Sequence, residues 1–229
     1  MDSDFLKKNV LIGFFFSIVV LIATLLFSGF LKNFGLDKTT VFWLNRFSFW
    51  LCLVLIYVFV NQVEKQNFLL WNETELSFVE YLKSFVSIFI KVIIGALVIG
   101  LTLKFLGNNP KQGSKFIEIL KLLKSNFPLL IFTCLTAGIT EEFIFRGYLM
   151  PRLQFFFSNS LVPITISSVL FGLMHIGYGT IMQIIGPMFI GFVLAFHYQK
   201  FRNIKILIVF HFFWDFISIM AYTQNSQHY

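Results

Sequence analysis

Residues 127–149 read FPLLIFTCLTAGITEEFIFRGYL, an apolar run that carries Glu141, Glu142 and Arg146 within about two helical turns. The run has the length of a spanning helix, which needs about 20 largely apolar residues at a rise of about 1.5 Å each. A charged side chain at the centre of such a helix costs about 2.5–3.5 kcal/mol on insertion scales, so it faces a bundle interior or a wet cavity and finds partners there. The stretch therefore fixes both the fold class and the place to look for chemistry. Working outward from it, further apolar runs occur at Val10–Leu31, Val41–Val60, Phe85–Leu106, Val162–Ile176, Ile181–Tyr198 and Ile204–Tyr222. They predict an all-α, polytopic transmembrane bundle of about seven spans (six to eight), forming a single integral membrane domain over residues 1–229.

Composition agrees with that reading. The chain is 57% hydrophobic and 13% charged, with a mean hydropathy of +0.80, beyond what the core of a soluble domain of this length requires. The formal charge of +7 is carried mostly by Lys and Arg in short connections between apolar runs, where basic residues meet anionic headgroups. The lipid bilayer is therefore the expected partner, and nucleic acid is not. Cys52 and Cys134 each lie inside an apolar stretch and read as buried free thiols. The first run follows Lys7 and Lys8 like a signal peptide but is longer than a usual h-region, and it is expected to remain as a helix.

Asn61–Glu80 reads as a polar connection, and Gly107–Gly113, with Asn108, Asn109 and Pro110, as a break. Beyond the break, Phe116, Ile117, Ile119, Leu120, Leu122 and Leu123 alternate with Lys115, Glu118, Lys121 and Lys124 at helical spacing. That pattern predicts an interfacial helix, or a soluble extension of the next span. Basic residues are spread almost evenly over alternate connections. Lys200, Arg202 and Lys205 weakly place the connection before the last span in the cytoplasm. No internal repeat is visible.

Two other spans supply groups that match the first three. His175 closes the run from Ser168, and His211 with Asp215 falls at i, i+4 on one face of the last span. Glu142 and Arg146 share a face at the same spacing, whereas Glu141 on an α-helix points about 100° away. One glutamate is thus neutralised and the other is left for another partner. Carboxylates set close to a histidine and an arginine in low dielectric are the usual ingredients of a tuned acid or base.

The ordered set Glu141-Glu142-x-x-x-Arg146, Phe171-x-x-x-His175 and His211-x-x-x-Asp215, on successive membrane helices, resembles the CPBP family of intramembrane proteases. That family includes the CaaX prenyl-protein endopeptidases and the bacterial Abi proteins linked to bacteriocin processing and self-immunity. The resemblance covers about residues 127–222, the expected catalytic core. It implies hydrolysis of a peptide bond in a membrane-associated or hydrophobic peptide or protein, which can be lipidated. Glu141 would act as general base on a water and His175 would help to hold and polarise it. Glu142 with Arg146 would order the site, while His211 and Asp215 would face the developing oxyanion. The prenyl-peptidase branch usually has Asn at the last position; Asp215 matches bacterial members, donates a hydrogen bond only when protonated, and could instead orient His211. The implied location is the plasma membrane of a bacterium.

No cofactor is favoured. If a metal is used, Glu141, His175, His211 and Asp215 are the candidate ligands for zinc, although the His-Glu-x-x-His arrangement of zincins is missing. Two other function classes remain open at this point. A proton-coupled transporter would use the same ionisable residues as a relay and would show broken helices in two repeated halves. A non-catalytic membrane partner or immunity protein would bind through its helices alone. Taken singly, Glu142 with Arg146 could be an intrahelical structural pair and His175 a packing residue. His197 reads as interfacial and His228 as part of a loose tail. Gly172, Gly177, Gly179, Gly186 and Gly191 read as seats for close helix approach, the Gly186-Pro187 step as a kink or break, and Trp214 as a residue that could shape the pocket.

Overall fold

Polar residues placed just outside apolar runs start the helices. The Asp37 carboxylate accepts from the amides of Thr39 and Thr40 (2.9 and 3.0 Å), and Ser77 with Glu80 forms a reciprocal capping box, each satisfying amides that the first turn leaves open. Asn126 caps Leu129 ahead of a proline in the first turn. The computed structural model describes residues 3–107 and 113–225. Asn108, Asn109, Pro110 and His228 lie outside the described residues.

The helices are α1 (Ser3–Leu31), α2 (Lys38–Phe59, extended by a π-helical turn at Val60–Glu64), α3 (Phe78–Phe105), α4 (Ser114–Ser125), α5 (Phe127–Thr136), α6 (Met150–Leu153), α7 (Leu161–Leu173), α8 (Met182–Phe201) and α9 (Ile204–Asn225). No strand occurs among the described residues. π-helical segments at Ala137–Glu141 and Phe143–Leu149 join α5 to α6 into one membrane-length rod. Among the described residues seven helices are long and apolar enough to cross a membrane, and the protein is an integral, multi-pass membrane bundle.

The rod from Phe127 to Leu153 is the centre of the bundle. In its most apolar stretch 61% of residues are buried, against 11–33% in the other six. It also contributes to all three apolar clusters. Met150 packs with α3, α7, α8 and α9, Ile144, Phe145, Tyr148 and Leu149 with α1, α2 and Phe171, and Leu129, Leu130 and Cys134 with Leu123 of α4. The outer faces of α1 and α3 remain apolar and exposed, from Phe15 and Val19 to Ile94 and Leu101, as lipid-facing surfaces are.

Successive spans alternate in direction, so the connections fall on two faces. On the first face, residues 65–77 are fastened by two buried networks. Arg152 donates through Nε to Glu64 (2.7 Å), through Nη1 to the carbonyl of Phe68 (3.0 Å) and through Nη2 to that of Asn67 (3.3 Å), while the Tyr148 hydroxyl donates to Glu64 (2.8 Å). Glu73 accepts from the Tyr198 hydroxyl (2.8 Å) and from the Ile204 amide (2.6 Å). On the second face, α4 buries Leu120 and Leu123 and pairs Glu118 with Lys38. That hydrogen bond holds the Glu118 carboxyl below its usual range, and the Thr40 hydroxyl and amide do the same for Asp37.

Several boundaries differ from the sequence reading for identifiable reasons. The expected Asn61–Glu80 connection shortens to residues 65–77, because Glu64 stays on its helix with buried partners and the capping box starts α3 early. α4 is a separate helix, since Asn126 leaves helical geometry before α5. Pro187 sits within a continuous α8, which neighbouring helices make tolerable in a membrane. His197, about one turn before the end of α8, is buried against the Phe201 ring (4.5 Å). Both cysteines are buried free thiols.

Candidate active site

The central rod changes its winding where its charged residues begin. An α-helix would send Glu141 and Glu142 to different neighbours, but both lie in or beside π-helical turns, whose wider loops recur at functional positions in helices. Close approach of α9 completes the effect. A Cβ on Gly138 would meet the Ile208 carbonyl at 2.9 Å and the Phe212 amide at 3.2 Å, so only glycine lets α9 lie this near. Glu142 meets His211 at Nδ1 and Glu141 stands 3.9 Å from its Nε2, so the two side chains approach different edges of one imidazole.

Glu142 and Arg146 are both fully buried and paired at 2.9 Å. The same Glu142 oxygen, Oε1, stands 2.7 Å from His211 Nδ1. A carboxylate already accepting from Arg146 leaves Nδ1 as the donor, which orients the imidazole and turns Nε2 toward the two remaining acids. Glu141 Oε2 is 3.9 Å from Nε2 and Asp215 Oδ2 is 3.6 Å from it. Glu142, rather than Asp215, is the group that fixes His211. Among the described residues several buried polar atoms around this chain of contacts have no hydrogen-bond partner: Glu141 Oε2, Glu142 Oε2, and Arg146 Nε and Nη2. Such atoms are uncommon in buried regions and mark places where function overrides satisfaction.

His175 joins through Phe171. The Phe171 ring carries the Arg146 guanidinium 4.4 Å from its centroid and meets the rings of His175 and His211 edge-on at 5.1 and 5.9 Å. It is the spacer between the two histidines. His175 Nδ1 lies 2.9 Å from the Phe171 carbonyl, and since a carbonyl only accepts, Nδ1 donates and Nε2 is left as an acceptor. Ser167 donates to the Phe145 carbonyl (3.0 Å) and ties α7 to the π-helical segment. Gly191 of α8 leaves room for Arg146, whose Nη2 would lie 3.2 Å from an added Cβ.

Residues 123–217 match the family model described as Type II CAAX prenyl endopeptidase, Rce1-like. All three motifs fall inside the matched segment, in agreement with the resemblance they carry in the sequence. No curated protein and no solved structure matches the chain. The Rce1-like segment thus supplies the five residues joined through His211 and Arg146, with His175 attached through Phe171. Among the described residues no three side chains of His, Cys, Asp or Glu converge as a metal ion would require.

Two residues near the site have no part in the sequence motifs. Tyr178 follows His175 in a short 3-10 turn, with its ring 5.7 Å from that histidine and 5.5 Å from Phe116 of α4. Arg46 of α2 lies outside the matched segment, on the helix that the Trp50 indole docks to the central rod at Thr136 (2.9 Å). A lone cation within the apolar run Val41–Val60 was the signal available for it. Trp214, by contrast, stacks on Phe210 (6.1 Å) in the apolar cluster with α3.

Proposed function

We propose that the protein is an intramembrane endopeptidase that hydrolyses a peptide bond of a membrane-associated peptide or protein, with Glu141 as general base. The observation that carries this reading is the placing of Glu141 Oε2 and Asp215 Oδ2 at 3.9 and 3.6 Å from a His211 Nε2 whose orientation Glu142 fixes. Separations beyond a direct hydrogen bond suit a bridging water. Glu141 takes a proton from that water as it attacks the scissile carbonyl and later passes the proton to the leaving amine. His175, with Nε2 as acceptor, helps to hold the water. In its imidazolium form His211 donates through Nε2 to the oxyanion, and Asp215 holds that imidazolium rather than donating itself. Arg146 pairs with Glu142, the acceptor that orients His211.

A membrane carrier predicts broken helices in two repeated halves. Here the Gly186-Pro187 step lies within a continuous helix, which favours the peptidase. The proposed reaction uses no metal, since Glu141 by itself can activate the water. Dialysis of purified protein against a strong chelator is expected to leave peptide cleavage intact; full loss restored by zinc overturns that part of the reading. The assignment as a whole is tested by purified Glu141→Ala and His175→Ala variants on a quenched-fluorescence peptide library. Cleavage by both at the wild-type rate would sink it.

A further inference from the structure

Arg46 is a partly buried cation in the middle of an apolar span, and among the described residues it forms no salt bridge. It is nonetheless firmly held. Its guanidinium lies 5.0 Å from the Phe42 ring centroid and 4.8 Å from that of Phe49. Nη2 donates to Asn45 Oδ1 (2.7 Å), and the Asn45 amide in turn donates to the Thr24 carbonyl of α1 (3.3 Å). Nε is buried without a hydrogen-bond partner. A charge kept in an apolar span without a direct ion pair calls for a ligand or a functional explanation.

Its location indicates which ligand. α2 and the central rod run in the same direction and are docked by the Trp50 indole, which donates to the Thr136 hydroxyl (2.9 Å). Arg46 lies one turn nearer the second face than Trp50, so it stands between α4 and the level of Glu141. The π-helical turn that ends at Glu141 begins at Ala137, directly after the Thr136 on which Trp50 is docked. The second face beside it carries Lys38, Lys115 and Lys121, a basic rim of the kind that draws anionic ligands inward. A guanidinium with spare donors in one plane matches a carboxylate in two-point geometry.

We propose that Arg46 is a specificity-determining residue that binds a carboxylate of the peptide substrate on the side of the scissile bond facing α4. The proposal rests on the endopeptidase reading and adds a recognition group from outside the Rce1-like segment. The carboxylate can be a chain terminus or an acidic side chain, and the test separates the two. Full-length protein in liposomes is given one cleavable peptide as free acid or C-terminal amide, and the same peptide with Glu or Gln beyond the scissile bond. One of the two acidic forms is expected to show a KM lower by about tenfold or more, as a charge-assisted contact provides. Arg46→Gln should bring the paired values together through KM, and Arg46→Lys should restore part of the difference. Equal KM values in wild type, or an equal loss for acid and neutral peptides in Arg46→Gln, would overturn the proposal. Anisotropy with labelled acid and neutral peptides on Glu141→Gln and on Glu141→Gln with Arg46→Gln reads binding without cleavage. An acid preference that depends on Arg46, in a protein whose wild type cleaves nothing, would reject the peptidase and keep the carboxylate site. Equal binding of both peptides would reject the site.

Discussion

The central rod carries two buried arginines with opposite characters. Arg152, near the first face, has all three nitrogens bonded, to Glu64 and to the carbonyls of Phe68 and Asn67, and the tyrosine beneath it (4.0 Å) completes the group. Arg146, toward the middle of the bundle, has one bond to Glu142 and two nitrogens without partners. Both are essentially inaccessible and both face a buried glutamate. Burial and charge therefore do not separate a structural cluster from a chemical one. Satisfaction does: where loop carbonyls close every valence the group acts as a staple, and where valences stay open the group can respond to a substrate.

This contrast can be broken by experiment. The largest effect is expected from Glu141→Gln, which should lower peptide cleavage about 10²–10⁴-fold, the range of a lost general base, while the melting temperature stays near wild type. Arg152→Ala should do the reverse, destabilising the fold by about 3–5 kcal/mol because Glu64 is left as an uncompensated buried charge. Turnover per folded molecule should hold, and Glu64→Gln added to Arg152→Ala should recover part of the stability. Loss of turnover without loss of stability in Arg152→Ala would erase the distinction between the clusters.

A finer probe uses glycines of α8. Gly191→Ala places a Cβ 3.2 Å from Arg146 Nη2 and 3.3 Å from the Phe171 ring, an overpacking that costs about 1–3 kcal/mol and should reduce turnover. Gly186→Ala meets nothing within 4 Å and should be nearly silent in the same assay. The smallest effect concerns Asp37. Its carboxyl is held below the usual range by the Thr40 hydroxyl and amide, so its contribution to stability is present above the ordinary aspartate value of about 3.9 and fades as pH falls through the lower folded value. The difference in melting temperature between wild type and Asp37→Ala should be constant near neutrality and vanish in acid.

Much of the bundle was legible because apolar length is a local property. The Phe127–Leu149 run and the amphipathic pattern between the Gly107–Gly113 break and Phe127 both appear as helices where they were expected. The errors lie where a polar residue finds a distant partner. Glu64 looked like part of a loop until Arg152 and Tyr148, more than eighty positions away, were seen to bury it. Among the glycines read as seats for close approach, Gly172 and Gly191 have that role, whereas Gly186 faces open space.

By itself the sequence determined the membrane class, the spans and the three motifs, because hydropathy over about 20 residues and i, i+4 spacing need no knowledge of the rest of the chain. Tertiary structure alone decided how the motifs meet. Gly138 lets α9 approach so that the two glutamates meet different edges of one imidazole, and Phe171 spaces His175 from His211. It also brought Arg46 from an unrelated span to the edge of the site. Those outcomes depend on which helix packs beside which, and so on side-chain volumes and hydrogen bonds summed over the whole bundle.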